Sequence, residues 1–342
     1  MYDFPYHEKP LENLSFLVTG GAGFIGSNLV EYLLKYNVGK VRVLDNFSNG
    51  FRKNIEQFLD NPAFELLEGD IRDPQTCMDA CAGMDVVLHQ AALGSVPRSI
   101  NDPITSNNVN VGGFVNMLVA AKENNIKRFV YAASSSTYGD SKELPKVEDR
   151  IGKPLSPYAV TKYANELYAD VFGKTYGMEI IGLRYFNIFG PKQDPNGAYA
   201  AVIPLFIDAL IHNQSPKING DGGQTRDFTF VENCVQANIR AALVENPEAV
   251  NQVYNIAVGD RTSLLEMFNI LKETAGADVE PIHGPDRPGD IRDSLADTSK
   301  AQGLLGYDPK VRIGEGLKLT FEWFKHNQEF IYRDTDKAAA IK

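Results

Sequence analysis

Short apolar runs alternate with amphipathic stretches through the first half of the chain, and most of the runs are almost continuously hydrophobic. Such runs are typical of strands buried on both faces, while the stretches between them carry the proline and glycine signals of helix ends. Strands that alternate with helices at this spacing indicate a parallel sheet. The sequence therefore predicts an α/β fold with a doubly wound parallel sheet of the Rossmann type. The predicted strands are 14–19, 41–45, 64–70, 86–92, 128–134 and 179–187, and the predicted helices are 27–36, one opening at Asp73-Pro74, one running from Asp102-Pro103 towards Asn124, and 157–176, closed by Gly177.

The pattern changes after Gly190, where loops become longer and richer in glycine, proline and asparagine. We interpret residues 1–189 as a Rossmann domain and residues 190–330 as a smaller α/β substrate-binding domain, with 331–342 as a tail. The segment 228–250 is expected to return to the first domain, so that the two domains are interleaved.

The composition of the chain limits the kinds of partner that the protein is expected to bind. The chain has 342 residues, of which 43% are hydrophobic and 23% charged, as is ordinary for a globular protein. Its formal net charge of −10 argues against a general nucleic-acid binder, and no apolar stretch approaches the roughly 18 residues that a membrane span needs. The N-terminus does not resemble a signal peptide, and three cysteines are too few for a disulfide framework. We therefore expect a cytoplasmic protein with no membrane, nucleic-acid or metal partner.

A glycine-rich turn, residues 20–26 with the sequence GGAGFIG, joins the first predicted strand to the first helix. This is the context of a dinucleotide fingerprint, in which glycines permit a tight turn and a helix N-terminus meets a pyrophosphate. Asp45 ends the second strand, where an acid can accept hydrogen bonds from a ribose. Its charge favours NAD over NADP, although Arg52 and Lys53 are close in sequence. The alternative is a glycine turn without a ligand, but strand, glycines, helix and acid together favour NAD.

A second candidate site combines Tyr158 and Lys162, which are four residues apart and therefore share one face of a helix. Ser156 is predicted as the N-cap and Pro157 as the first helical residue, which places Tyr158 in the first turn. The helix end and the ammonium both favour an anion, so we expect the tyrosine pKa to fall from near 10 towards neutral. Taken alone, such a pair is more often a surface lysine beside a half-buried tyrosine. The serines at 134–136 favour catalysis, because they end the fifth strand at the edge where α/β sheets bind ligands.

These motifs together resemble the extended short-chain dehydrogenase/reductase family, over residues 14 to 325. Within that family the chain is most similar to the nucleotide-sugar 4-epimerases. The nearest group is that of the bacterial UDP-N-acetylglucosamine 4-epimerases, including those that act on the uronic acid forms. The segments that carry the resemblance are 89–99 (HQAALGSVPRS), 132–139 (AASSSTYG), 195–204 (PNGAYAAVIP) and 287–294 (RPGDIRDS).

The resemblance implies a role for each site residue. Tyr158 would take the proton from the sugar 4-hydroxyl as hydride leaves C4 for NAD, and Lys162 would hold the nicotinamide ribose and lower the tyrosine pKa. Ser134 and Ser135 would hydrogen-bond the reacting oxygen, and the 4-keto sugar would turn over and take the hydride back on its other face. Cofactor contacts are expected from Gly20, Gly23, Phe24, Ile25, Gly26, Asp45, Asn46, Gly50, Asp70, Ile71, Gln90, Tyr158 and Lys162. Substrate contacts are expected from Ser95, Ser134, Ser135, Ser136, Asn187, Ala201, Val202, Lys217, Asn219, Arg226, Arg287, Asp290 and Ser294.

The predicted substrate depends on the charge and size of a few side chains. Related 4,6-dehydratases have an acidic pair after the fifth strand, whereas this chain has Ser135, Ser136 and Thr137, and hydroxyls are poor general acids. Ser294 stands where some relatives restricted to unacetylated sugars have a tyrosine, which leaves room for a 2-N-acetyl group. We therefore expect a 4-epimerase that interconverts UDP-GlcNAc and UDP-GalNAc.

The sequence alone is also compatible with other functions. The alternatives are a 4-epimerase of the corresponding uronates, of UDP-glucose or of UDP-glucuronate, a reductase with net redox, and a non-catalytic NAD-binding regulator. The resemblance also implies a homodimer, in which the helices that open at Asp102-Pro103 and Ser156-Pro157 form a four-helix bundle with those of a second copy.

Overall fold

A computed structural model of the protein describes residues 1–195, 201–285 and 292–328. The centre of the molecule is a seven-stranded sheet, and short two-stranded pairs lie outside it. The strands are β1 (Ser15–Thr19), β2 (Lys40–Asp45), β3 (Phe64–Glu68), β4 (Val86–His89), β5 (Arg128–Ser134), β6 (Glu179–Tyr185), β7 (Ile188–Phe189), β8 (Lys217–Asn219), β9 (Thr225–Arg226), β10 (Thr229–Phe230), β11 (Gln252–Ile256), β12 (Thr262–Ser263) and β13 (Ile282–Gly284). The helices are α1 (Phe24–Lys35), α2 (Pro74–Cys81), α3 (Val96–Asn101), α4 (Pro103–Asn107), α5 (Phe114–Glu123), α6 (Pro157–Tyr176), α7 (Val202–Ile211), α8 (Val231–Leu243), α9 (Leu264–Ala275), α10 (Ser299–Leu305) and α11 (Ile313–His326).

The strand order of the central sheet is β11-β6-β5-β4-β1-β2-β3, and every neighbouring pair is parallel. The order reverses between β1 and β4, so the loops that follow these strands diverge and open a crevice at the carboxyl edge. The predicted α/β fold with a doubly wound parallel sheet of the Rossmann type is therefore confirmed.

Hydrophobic clusters cover both faces of this sheet. Phe16 and Val18 of β1 belong to the cluster that contains α1 and α8, whereas Leu17 belongs to the cluster of α2 and α5. Alternate residues of a strand point to opposite faces, so this division is the signature of a strand buried on both sides. A third cluster is formed by α7, α9 and α11 together with β10. The division of the chain into residues 1–189 and 190–330, with 228–250 returning, stays a prediction.

The predicted strands extend too far at the carboxyl edge. β3 ends at Glu68 rather than at residue 70, β4 ends at His89 rather than 92, and β6 ends at Tyr185 rather than 187. Apolar residues continue beyond these ends because the chain stays partly buried while it turns away from the ladder: Ile71 is 5% exposed and Phe186 is fully buried.

The segment between β4 and β5 also differs from the prediction. Helix α3 was not predicted; it is capped by Ser95, whose hydroxyl accepts from the N–H of Arg98 at 3.1 Å. The long helix expected from Asp102 runs as α4, a π-helical turn (Asn108–Gly113) and α5. The wider π turn brings Asn110 against the neighbouring loop, where its side chain accepts from the N–H of Leu93 at 2.7 Å.

Candidate active site

The first turn of α6 is fixed by hydrogen bonds from two sides. Ser156 is the N-cap, since its hydroxyl accepts from the N–H of Ala159 at 3.2 Å, and Pro157 has no N–H to satisfy. The N–H of Tyr158 donates to the hydroxyl of Ser99 on α3 at 3.0 Å. The predicted cap, proline and helix are confirmed, and Ser99 adds an anchor that the sequence analysis missed.

The side chain of Tyr158 reaches the end of β5. Its phenol lies close enough to the hydroxyl of Ser134, which is 9% exposed, for Ser134 to lower the pKa of the phenol. The N–H and the hydroxyl of Ser136 both donate to the Ser134 hydroxyl, at 3.2 and 2.9 Å. Ser135 is half-buried beside them, at the start of a 3-10 turn over residues 135–138. The structure therefore brings the tyrosine and the serines of the predicted catalytic set together.

Lys162 follows Tyr158 one turn along α6 and is 4% exposed. Its ammonium donates to the carbonyl of Ala132 in β5 at 2.8 Å and lies 6.0 Å from the centre of the Tyr158 ring. Burial lowers the pKa of Lys162 to about 8, although the carboxylate of Glu166 acts in the opposite direction. The charge of this lysine near neutral pH therefore depends on the groups around it.

The pKa of Tyr158 differs from the sequence-based expectation, which was a value lowered by Lys162 and the helix end. Burial raises the pKa of the Tyr158 phenol, and the nearby hydroxyl of Ser134 lowers it by less. The expectation was wrong because it left out the cost of removing a phenolate from water, and because the ammonium bonds the Ala132 carbonyl. The residues of the protein alone thus keep Tyr158 protonated at neutral pH.

The glycine turn between β1 and α1 forms a cradle that fits a diphosphate. Gly20 has φ of +68°, and a Cβ there would lie 2.8 Å from the backbone nitrogen of Ala91. A Cβ on Gly26 would lie 2.1 Å from the carbonyl oxygen of Gly20. Gly23 caps α1 without a side chain, and the first turn has no acidic residue, so its N–H groups and the positive helix end suit an anion. Phe24 and Ile25 lie in that turn.

Asp45 braces this cradle from the end of β2. Its carboxylate accepts from the N–H of Ala22 at 2.9 Å and from the N–H of Phe47 at 2.8 Å. The side chain is buried, and burial raises its pKa, with the two backbone donors opposing that shift. Each carboxylate oxygen has a second acceptor position, so the geometry is compatible with the predicted bonds to a ribose.

Three further residues predicted to contact the cofactor, Asn46, Gly50 and Asp70, follow the ends of β2 and β3. The Asn46 amide donates to Asp70 at 2.9 Å, and Asp70 is also paired with Arg72, whose guanidinium holds the pKa of that carboxyl at about 2. Gly50 packs against the glycine turn, since a Cβ there would lie 2.9 Å from Ala22. These groups form one polar rim beside the cradle.

Two of the residues predicted to contact the cofactor already have partners within the protein. Ile71 belongs to the core cluster of α2 and α5. Gln90 donates from its amide to Asn238 at 3.0 Å and accepts from the hydroxyl of Tyr185 at 3.1 Å. The side chain of Gln90 is therefore oriented by a polar network with α8 and β6, and its contact with a cofactor stays a prediction.

Three predicted substrate residues converge around β9. Asn187 is exposed, and its amide donates to the carbonyl of Asp227 at 3.2 Å. Arg226 donates to the carbonyl of Thr225, and the N–H of Ser294 donates to the same Thr225 carbonyl at 3.2 Å. Asn187, Arg226 and Ser294 are thus joined through short stretches of backbone.

The other predicted substrate residues are more dispersed. Ser95 is engaged as the cap of α3. Ala201 and Val202 lie at the start of α7, and Lys217 and Asn219 bound β8. Arg287 and Asp290 fall outside the described residues.

Polar residues that the sequence analysis missed support helix α6, which carries Tyr158 and Lys162. The Asn110 amide donates to the carbonyl of Leu93 and to the hydroxyl of Thr161 on α6, both at 3.2 Å. The buried Glu166 follows Lys162 by one helical turn. An asparagine beside a glycine pair in a helix is a weak sequence signal for Asn110, and a carboxylate four residues after a lysine is one for Glu166.

Comparison with known proteins identifies the family. The model of the NAD dependent epimerase/dehydratase family matches residues 16–257. The chain belongs to this family. A UDP-N-acetylglucosamine 4-epimerase from Methanobrevibacter ruminantium, solved in complex with UDP-N-acetylmuramic acid, is 37% identical with a TM-score of 0.85, over 92% of this chain and 99% of that one.

Two further members of the epimerase/dehydratase family are similar in sequence. A putative UDP-glucose 4-epimerase from Methanocaldococcus jannaschii is 39% identical over 91% of this chain and 98% of its own length. A UDP-glucose 4-epimerase from Mycolicibacterium smegmatis is 37% identical over 92% of this chain and 99% of its own. Family membership confirms the predicted relationship and the NAD cofactor. In the described part of the chain, every helix is too short or too polar to cross a bilayer.

Proposed function

We propose that this protein is an NAD-dependent 4-epimerase of a UDP-linked sugar, with UDP-GlcNAc and UDP-GalNAc as its substrates. The observation that carries the proposal is the placement of Tyr158, in the first turn of α6, and of the buried Lys162 against the end of β5, where Ser134 lies at the carboxyl edge of the sheet. The similar proteins named as UDP-sugar 4-epimerases support the reaction class.

The side chains of the site would carry the proton chemistry. Tyr158 would take the proton from the sugar 4-hydroxyl and later return it, while Ser134 and Ser135 hold that oxygen by hydrogen bonds. Lys162 would hold the nicotinamide ribose, and its positive charge would favour the phenolate of Tyr158. NAD, when bound, would supply the hydride acceptor and a second positive charge near the phenol. Because burial raises the pKa of Tyr158, this added positive charge is what would make the phenol a base.

The cradle and its rim would hold the cofactor. The N–H groups at the start of α1 would bond the diphosphate, and the Asp45 carboxylate would bond the adenosine ribose. A carboxylate in that position repels a 2′-phosphate, which favours NAD over NADP. The proposed cofactor contacts are Gly20, Gly23, Phe24, Ile25, Gly26, Asp45, Asn46, Gly50, Asp70, Ile71, Gln90, Tyr158 and Lys162.

The turn after β5 argues for epimerisation over dehydration within this family. Expulsion of water from C5 and C6 needs an acid and a base at that turn. Residues 135–137 have only hydroxyls there, and the Thr137 hydroxyl is fully buried and donates to the Ser134 carbonyl at 2.8 Å. The same turn can hold a sugar oxygen but has no carboxyl group to protonate a leaving group.

The choice of an N-acetylated sugar rests on Ser294. Its N–H donates to the carbonyl of Thr225. This bond fixes the backbone of Ser294 beside Arg226, another residue predicted to contact the substrate. A serine occupies much less volume than a tyrosine, and that difference would accommodate a 2-N-acetyl group. Arg226 would bond the substrate diphosphate, because a guanidinium can donate to two oxygens at once. The proposed substrate contacts are Ser95, Ser134, Ser135, Ser136, Asn187, Ala201, Val202, Lys217, Asn219, Arg226, Arg287, Asp290 and Ser294.

The direct test is to incubate the purified protein with UDP-GlcNAc and to follow the sugar signals by proton NMR. We expect UDP-GalNAc to form until an equilibrium mixture is reached, without added NAD if the cofactor stays bound through purification. Parallel incubations with UDP-glucose and the two uronates rank the alternative substrates. No C4-inverted product from any of the four would contradict an epimerase and favour a non-catalytic NAD-binding regulator.

The exposed face of α6 supports a homodimer. Val160, Leu167 and Val171 are each more than half exposed and lie on one side of the helix, and Ile104 on α4 is 73% exposed. Apolar side chains that are contiguous at helical spacing are typical of an interface. We expect light scattering after size exclusion to give twice the mass of one chain, and Val171→Glu to halve it; a monomeric wild type would contradict the dimer.

A further inference from the structure

A buried ion pair joins α6 to β6 behind the catalytic residues. Both oxygens of Glu166 accept from the guanidinium of Arg184, from Nε at 2.9 Å and from Nη2 at 2.8 Å. Glu166 is 7% exposed and Arg184 is 4% exposed. This two-point geometry restricts each side chain to one orientation.

The ion pair also contacts the turn that carries the catalytic serine. The hydroxyl of Thr137 lies 3.4 Å from Glu166 and donates to the carbonyl of Ser134 at 2.8 Å. The guanidinium of Arg184 lies over the ring of Tyr138, 4.8 Å from its centre. The turn after β5 is therefore held against α6 through the two members of the pair.

Glu166 is also the carboxylate that faces Lys162, one helical turn away. The ammonium of Lys162 is buried, and its hydrogen bond goes to the neutral carbonyl of Ala132. Glu166 favours the charged form of this lysine and thereby raises its pKa, whereas burial lowers that pKa. The titratable and charged groups around Lys162 and the pair are His89 from β4, Tyr131 from β5, Tyr138 from the turn after β5, Glu148 from the loop before α6, Tyr158, Glu166 and Asp170 from α6, and Arg184 from β6.

Among the carboxylates of the described residues, Glu166 is the one whose charge acts on Lys162. Burial and the charge of Lys162 lower the pKa of His89 to about 3, so its imidazole is neutral. Burial keeps both Tyr131 and Tyr158 protonated, and Arg184 is positive. Removal of the Glu166 carboxylate would take away the negative charge that favours the ammonium of Lys162.

We propose that Glu166 and Arg184 are positioning residues of the active site: the buried pair holds the Ser134 turn against α6 and fixes the Glu166 carboxylate one helical turn from Lys162. This inference rests on the proposed function, because the placement of this carboxylate matters only if Lys162 serves Tyr158 and the cofactor. The protonation of Lys162 can nevertheless be measured without any substrate.

The chain offers a matched control at the opposite end of β6. Arg128 begins β5 and Glu179 begins β6, and their side chains are paired at 2.7 Å, with Arg128 buried. Loss of this pair would destabilise β6 at the end remote from Lys162. Glu179→Gln therefore reports the cost of breaking an ion pair of β6 without a change near the site.

The experiment follows the Cε signals of 13C-labelled lysines against pH in the purified wild type, in Glu166→Gln and in Glu179→Gln. The Lys162 signal is assigned by its absence from Lys162→Arg. We expect Glu166→Gln to lower the titration midpoint of Lys162 by about 1 or more, and Glu179→Gln to leave it unchanged. The alkaline limb of kcat against pH should move to lower pH in Glu166→Gln alone.

The opposite change gives a second variant should Glu166→Gln not fold. Arg184→Gln removes a positive charge and frees the carboxylate of Glu166, so the midpoint of Lys162 should rise. Unchanged midpoints in both variants, with thermal stability lowered as in Glu179→Gln, would show that the pair is only structural and would overturn the proposal. An inactive wild type with the expected midpoints would instead contradict the proposed function.

Discussion

The backbone N–H of Tyr158 donates a 3.0 Å hydrogen bond to the hydroxyl of Ser99, so helix α3 is fastened to the first turn of the helix that carries the tyrosine. The Ser99 hydroxyl in turn donates to the carbonyl of Val96 at 2.7 Å and is fully buried. The position of the phenol therefore depends on helix α3, which lies between β4 and α4 and is remote in sequence.

Ser99→Ala should lower kcat by about tenfold, because the Tyr158 N–H loses its partner and the first turn can shift. Stability should fall by about 1 to 2 kcal/mol. Ser106→Ala is the matched control, since the Ser106 hydroxyl is equally buried and donates at 2.8 Å to the carbonyl of Asp102, the N-cap of its own helix. Steady-state kinetics and urea unfolding separate the two effects, and equal kcat losses in the two variants would contradict a specific role for Ser99.

Asp45→Asn should weaken NAD binding by about tenfold and bring NAD and NADP closer in affinity. The substitution removes the negative charge that repels a 2′-phosphate and one of the acceptors that brace the glycine turn. Isothermal titration with each dinucleotide measures both effects. Glu68→Gln, at the end of the neighbouring strand β3 and exposed, is the control; a variant of Asp45 that keeps the wild-type preference would refute the assigned role.

Ser294→Tyr should abolish turnover of UDP-GlcNAc while sparing UDP-glucose, because the phenol would fill the volume proposed for the 2-N-acetyl group. Competition of the two substrates for the same enzyme, followed by NMR, supplies an internal control for folding and NAD content. A proportional loss on both substrates would rule out the argument from pocket size.

The buried carboxylate of Asp227 joins the segment that follows β9 to the residues that follow β11. It accepts from the N–H groups of Val258, Gly259 and Ala296 at 3.0, 3.1 and 3.2 Å, and its own carbonyl holds Asn187. Burial raises its pKa to about 6, with the backbone donors opposing that shift. Since the folded-state pKa is above the ordinary 3.8, the folded protein binds more protons than the unfolded chain between about pH 4 and 6.

The contribution of Asp227 to stability is therefore fully present below about pH 4 and is lost as the pH rises through 6. The Asp227→Asn variant has no titrating group at this position. The difference in unfolding free energy between wild type and variant should therefore shrink by about 2 kcal/mol from pH 4.5 to pH 7. Urea unfolding at the two pH values measures this difference. A difference independent of pH would mean that the carboxyl titrates normally in the folded state.

Local signals in the sequence were sufficient for the elements that carry the catalytic groups. The bounds of α6 agree with the prediction because Ser156, Pro157 and Gly177 mark its ends by chemistry that acts within a few residues. β5 agrees as well, from Arg128 to Ser134. The short helix α3 was missed because its cap and proline follow a loop whose apolar residues have no clear period.

Contacts between remote segments account for what the sequence did not reveal. The bidentate pair of Glu166 and Arg184 joins two elements whose register is set only in the folded sheet. The same holds for the burial of Tyr158, which changes the direction of its pKa shift relative to the prediction. A helix predicted from sequence shows which residues share a face, but not how far packing removes that face from solvent.

The central claim is that Tyr158 and its neighbours invert C4 of a UDP-linked sugar without exchange of the C4 hydrogen with solvent. The most direct measurement is proton NMR of UDP-GlcNAc incubated in D2O with the wild type and with Tyr158→Phe, which should bind NAD equally well. We predict UDP-GalNAc that retains protium at C4 with the wild type, and almost no product with Tyr158→Phe. Deuterium at C4, or a fully active Tyr158→Phe, would contradict the account.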